Sequence, residues 1–147
     1  MKTHIIFLLL SALSFIPSVS AIAESKEEQS IDHRISLKLT TIEKTAFLSE
    51  MRQMLVSIQG IISGIGENDP EKIIKAARYS GNKMARATPL SIKAKIPKSF
   101  QEIGGPTHMM FEELVIRAET DDMETLTQFT GEIMQQCTVC HEMFKAD

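Results

Sequence analysis

The sequence predicts an all-α protein, an antiparallel four-helix bundle, on three observations. Apolar residues recur at alternating spacings of 3 and 4 through most of the chain, the period of one helix face. Aromatic residues make up only 5% of the chain and β-branched runs are few, which argues against a β-sandwich or barrel. Short links join the first periodic segment to the second and the third to the fourth, so each pair is expected to form antiparallel neighbours. At 147 residues and 43% hydrophobic, the chain suits one domain with a core and is not disordered as a whole.

The first element is not part of the fold. Met1-Lys2 is a short positive start, Ile5 to Ile16 is an almost unbroken apolar run, and small residues follow at Ser18 to Ala23. This pattern reads as a signal peptide over 1–23, cleaved after Ala21 or Ala23, and places the mature chain in the periplasm. The apolar run is too short to cross a bilayer comfortably, so no membrane span is expected in the mature form. Residues 24–36 are polar and aperiodic and read as a flexible lead-in, leaving 37–147 as the folded domain.

In the first helix Leu48, Met51, Leu55, Ile58, Ile62 and Ile65 fall at 3, 4, 3, 4 and 3, a seam ended by Gly64 and Gly66. Asp69 then serves as N-cap and Pro70 as first helical residue of a second helix, with Ile74, Ala77, Gly81 and Met84 inward. Residues 88–105, with Pro89, Pro97 and Gly104-Gly105, read as a crossover loop anchored by Ile92, Ile96 and Phe100. The third helix is expected from about Pro106 to Glu119, with Phe111, Leu114, Val115 and Ala118 inward. The fourth opens at Asp121 with Glu124 in capping-box spacing, then sets Leu126, Phe129, Ile133, Cys137, Cys140 and Phe144 on one face.

Two cysteines are too few for a disulfide framework or an all-thiolate zinc site, and a net charge of −3 gives no overall basic footprint for nucleic acid. Their setting is informative, because Cys137-Thr138-Val139-Cys140-His141 is the C-x-x-C-H arrangement of covalent haem attachment. Positions i, i+3 and i+4 share one helix face, so both thiols can add to the vinyl groups of one porphyrin edge while His141 reaches the iron. The implied cofactor is one haem c, held covalently through Cys137 and Cys140, with His141 as proximal ligand. A redox disulfide normally opens a helix in a βαβ setting, which is missing here, and a two-cysteine metal site would need further ligands, for which the mature chain offers only His33 and His108 as other histidines.

A C-x-x-C-H close to the end of an exported helical chain of this size resembles the class II c-type cytochromes, the cytochrome c′ family. The resemblance covers about residues 40–147. Cys140-His141-Glu142-Met143-Phe144-Lys145 is similar to the family's ending, Glu67-Asn68-Asp69 resembles its acidic turn after the first helix, and Ile96-Pro97 to Phe111 resembles its entry to the third. Phe100-Gln101-Glu102-Ile103 departs from the pattern, since many members carry a tryptophan there. The resemblance implies that the first helix supplies the distal side of the haem. Low-spin members bind a methionine there, giving the Met/His ligation typical of electron carriers, and high-spin members leave the position open.

Met51 lies on the seam near the family's ligand position, and Met54 flanks it almost a turn further on; either can instead be core filler. Phe129, Ile133, Phe144, Ala77, Gly81 and Met84 are candidates for the haem pocket wall, and Lys145 shares the side of His141. Charge is uneven: eight basic residues and no acid lie between Lys72 and Gln101, against ten acids, Arg117 and Lys145 from Glu102 onward. That asymmetry suits docking to a charged redox partner protein. The expected function is a periplasmic single-electron carrier, not an enzyme, with His141 and Met51 on the iron. The alternative is a five-coordinate protein binding nitric oxide or another small gas. The resemblance also implies homodimers, formed in many members through their first two helices.

Overall fold

The computed structural model describes residues 32–147. The signal peptide expected over 1–23 and most of the lead-in over 24–36 lie outside the described residues. The described chain is all-α apart from one two-residue strand pair. Its elements are β1 (Ile35–Ser36), α1 (Thr41–Glu67), α2 (Pro70–Ser80), α3 (Asn82–Ala87), α4 (Leu90–Lys93), α5 (Lys98–Arg117), α6 (Met123–Met143) and β2 (Phe144–Lys145). No helix among the described residues is long and apolar enough to cross a membrane.

Local chemistry sets the helix ends. Thr40 and Glu43 form a reciprocal capping box at the start of α1, and Asn68 closes it in the left-handed conformation at φ 54°. The Asp69 carboxylate accepts from the Lys72 amide, with Pro70 in the first turn of α2, as the sequence predicts. α6 is capped by Asp122, one residue later than expected, whose side chain accepts from the Thr125 amide.

The four longer helices pack cyclically, α1 on α2, α2 on α5, α5 on α6 and α6 on α1. Along the first pair Ser57 meets Ser80, Gly60 meets Ala76 and Gly64 meets Ile73, so α1 and α2 run antiparallel. The main core lies among these helices and contains Ile58, Ile61, Ile73, Phe111, Leu114, Leu126 and Ile133. A second cluster joins Leu37, Leu39, Phe47, Ile92, Phe100 and Phe144 at one end. Here Ile35–Ser36 pairs in parallel with Phe144–Lys145, so the end of the segment read as a lead-in is paired backbone.

Three expectations about the elements need correction. The α1 seam is only partly packed: Ile62 is exposed at 52%, Leu48, Met51 and Leu55 line a cavity, and the buried edge is Phe47, Met54, Ser57, Ile58, Ile61 and Gly64. The reason is close approach to α2. A Cβ at Gly60 would stand 2.7 Å from the Ala76 Cβ, so α1 turns its small residues, which carry no apolar signal, toward its neighbour. The second helix does not run through Met84 but breaks at Gly81. There the Glu112 carboxylate takes the space a Cβ would need and accepts from the Asn82 amide at 2.7 Å. Finally, α5 begins at Lys98 rather than about Pro106, and the segment 88–105 is a short helix plus two turns of α5. Pro106 sits inside α5, exposed, at the loss of one backbone hydrogen bond.

Candidate functional site

A cavity of about 670 Å³ lies where the two hydrophobic clusters meet. Its walls come from the first half of α1, from α3 and α4, from the start of α5 and from the last turns of α6. Met54 and Ile58 of the main core line it, as do Phe47 and Phe100 of the second cluster. Met51, half-buried, packs against both clusters and also lines the cavity.

Cys137, Cys140 and His141 all border this same cavity from α6. The two thiols are free and half-buried, while His141 is exposed at the rim. The Cys137 S–H donates to the Ile133 carbonyl one turn back at 3.5 Å. Burial pushes both thiols above their ordinary range, Cys140 to about 11 with a smaller contribution from Cys137 beside it. Both are therefore protonated at neutral pH. This is the reverse of a redox-active C-x-x-C, whose nucleophile is a thiolate stabilised at a helix N-terminus or beside a cation.

The polar lining is gathered on the α1, α3, α4 and α5 walls. The Glu50 carboxyl is raised by burial and accepts from the Thr88 hydroxyl at 3.3 Å. The His108 Nδ1–H donates to the Ser80 carbonyl at 2.6 Å. Arg52 and Lys93 add positive charge at the rim, and the Lys93 ammonium donates to the Arg86 carbonyl at 3.2 Å.

The cavity therefore brings together Cys137, Cys140, His141, Met51 and Met54, residues drawn from the two ends of the folded domain. The six residues named as candidates for a haem pocket wall do not line this cavity. Phe129, Ile133, Ala77 and Met84 belong to the main core, Gly81 to the α2–α3 joint, and Phe144 to the second cluster. The walls that sequence reading missed, Ile103, Gly104, Gly105 and Thr107, lie in the stretch read partly as loop. Their apolar and small composition ahead of Phe111 was the available signal, masked by Pro97 and Pro106. Lys145 is taken up by ion pairs to Asp147 at 3.1 Å and Asp32 at 3.7 Å.

Among the described residues no three His, Cys, Asp or Glu side chains converge to hold a bare metal ion. The donor set fits a metal carried in a macrocycle instead, since such a group brings its own equatorial ligands and needs only axial ones from the protein. Compared with known proteins, the chain matches no family model, no curated protein and no solved structure.

Proposed function

We propose that this protein is an exported, periplasmic c-type cytochrome, an antiparallel four-helix bundle carrying one electron at a time on one covalent haem. One observation carries the reading: the C-x-x-C-H residues and two methionines from the opposite end of the domain line one mostly apolar cavity of about 670 Å³. That volume is within the roughly 300–1,000 Å³ of small-molecule and cofactor sites. In this reading Cys137 and Cys140 anchor the group through two thioethers, each formed when a thiol S–H adds across a vinyl double bond. His141 holds the iron from the proximal side, and Arg52 and Lys93 suit the carboxylates of the ring. When bound, the haem supplies a one-electron iron couple.

The protein's part is to orient, ligate and exclude water. Phe47, Ile58, Phe100 and Ile103 make a dry wall, and low dielectric disfavours the more charged ferric state, raising the potential. Met51 and Met54 stand three residues apart on one face of α1, within reach of the same space. Met54 is 9% exposed and embedded in the main core, whereas Met51 sits at the junction of the clusters. Met51 loses less packing on turning its thioether to the iron, and we assign it the distal position. The second reading requires that Met51, like Met54, keep its packing against the clusters. The sixth position is then open behind apolar side chains, for nitric oxide or a similar gas. The exposed Ile62 on α1 suits the homodimer that the resemblance implies.

The test is expression with export and haem-attachment machinery, followed by a haem stain of a denaturing gel. Covalent haem is expected, and it is lost in Cys137→Ser/Cys140→Ser. A stain-negative wild-type band refutes the reading. Met51→Leu and Met54→Leu conserve volume, costing less than about 1.5 kcal/mol each, so the ferric spectrum reports ligation rather than unfolding. Loss of the sulfur-ligated low-spin spectrum in Met51→Leu alone is expected. A high-spin wild-type spectrum selects the gas-binding alternative.

A further inference from the structure

The cavity opens beside a cationic ledge. The chain from Asn82 to Lys95, which forms α3 and α4, contains Lys83, Arg86, Lys93 and Lys95 and no acid. Lys95 is neutralised by Glu43. Lys83 and Arg86 are exposed and form no ion pair among the described residues, and they keep their charge free when Arg52 and Lys93 are given to the carboxylates of the ring. Ala85, Thr88 and Lys93 of this ledge line the cavity, as does Arg52 across from them on α1. Two acids stand near. Glu112 is taken up by the Asn82 amide at the start of α3, and the Glu50 carboxyl is half-buried and bonded by Thr88. The acid-rich α5–α6 turn, with Glu119, Asp121, Asp122 and Glu124, contributes nothing to the cavity.

We infer that the α3–α4 ledge is the docking surface for a redox partner protein with an acidic face. The inference rests on the haem reading for the electron, but not for the charge. The overall charge of −3 would repel such a partner. The local field at the cavity mouth has the opposite sign, and at separations below a Debye length of about 10 Å the local field governs approach. A partner meeting this ledge is held beside the cavity that Ala85, Thr88 and Lys93 line, so docking and electron exit share one side of the domain.

Two measurements on the mature holoprotein test this, with Lys83→Glu/Arg86→Glu as the variant. The first needs no haem chemistry: at pH 7 and low salt the wild type is retained on a sulfonate cation exchanger despite its negative net charge, and the variant is not. The second uses small redox ions. Oxidation of the ferrous protein passes one electron to ferricyanide, a trianion, or to tris(phenanthroline)cobalt(III), a trication, with no bond made or broken. For the wild type the ferricyanide rate falls about tenfold as salt rises from about 10 to about 300 mM, and the cobalt rate rises. In the variant both dependences reverse. A wild-type ferricyanide rate that rises with salt, or a variant indistinguishable from wild type, overturns the inference. So does retention of the wild type, but not the variant, by phosphatidylglycerol vesicles, which would make the ledge a membrane contact. A stain-negative gel with retention on the sulfonate resin would instead sink the haem reading and leave the ledge standing.

Discussion

His108→Leu tests whether the cavity wall is latched by one hydrogen bond. α2 ends at Ser80, so its last carbonyls have no helical partner, and Ser80 is 0% exposed. The His108 Nδ1–H, coming from α5, fills that need for the Ser80 carbonyl at 2.6 Å. The Ser80 hydroxyl beside it is already committed to Ser57 at 2.8 Å. Leucine removes the donor and leaves a buried carbonyl unpaired, a cost of about 1–3 kcal/mol, partly offset by the apolar area that leucine adds. A net loss of about 1–2 kcal/mol lowers the melting temperature by roughly 3–12 °C for a domain of this size. His108→Asn places an amide N–H near the Nδ1 position and should recover most of the loss. His108→Gln mimics Nε2 instead and should not. Thermal and denaturant unfolding followed by far-ultraviolet circular dichroism gives the order wild type, Asn, then Gln with Leu. A leucine variant within about 0.5 kcal/mol of wild type, or a Gln variant as stable as Asn, refutes the latch.

Other perturbations separate packing from charge. Gly64→Ala sets a Cβ 2.7 Å from Ile73 Cγ1, 3.0 Å from its amide and 3.1 Å from the Asp69 carbonyl; backbone cannot yield, so a loss of about 1–3 kcal/mol is expected in denaturant titrations. Gly66→Ala, two residues on, meets nothing within 4 Å and should instead stabilise by about 0.5–1 kcal/mol. Phe100→Ala empties the space between Phe47 and Phe144, whose rings lie 5.7 and 5.2 Å away, and should cost about 3–5 kcal/mol in the same titration. The Glu43 carboxyl is held down at about 2, chiefly by the Lys95 ammonium and then by the Thr40 amide. Its folded pKa lies below the unfolded one, so its stabilisation is full above about pH 4.5 and is lost as pH falls toward 2. Glu43→Gln should flatten that part of the melting-temperature profile, and a parallel profile would assign the acid loss to other carboxylates.

What the sequence revealed and what it hid divide along a physical line. Helix ends written in local chemistry were legible: Asp69-Pro70 begins α2 as read, and the α6 cap is displaced by one residue. Close approach was not. The 3-4 seam of Leu48 to Ile65 weighs large apolar side chains, whereas α1 meets α2 through Ser57, Gly60 and Gly64, so the packed face turns, leaving Ile62 exposed and Leu55 on the cavity. The start of α5 was hidden because Gly104, Gly105 and Pro106 signal a break individually, while the Ile92 and Phe100 anchors hold that segment against the second cluster. The chemistry-bearing residues followed the same division. The C-x-x-C-H motif is local and was read from five consecutive residues, but the wall that α5 contributes depends on tertiary packing and was missed.

The C-x-x-C-H residues lie in the last turns of α6, and those turns are held firmly. The last turn of a helix frays unless tied down, and side chains that line a cavity keep their places only on rigid backbone. Here the tie comes from the other end of the described chain. Ile35–Ser36 pairs with Phe144–Lys145, the Leu37 amide donates to the Lys145 carbonyl at 3.0 Å, and Phe144 is 3% exposed beneath Phe100. Leu37 and Leu39 then enter the same cluster as Phe47, which lines the cavity. The residues before α1 thus clamp the turn that follows His141, and the clamp is continuous with the cavity wall. A segment whose composition reads as a loose leader becomes, through two backbone pairs and two leucines, the support for the last turn of α6.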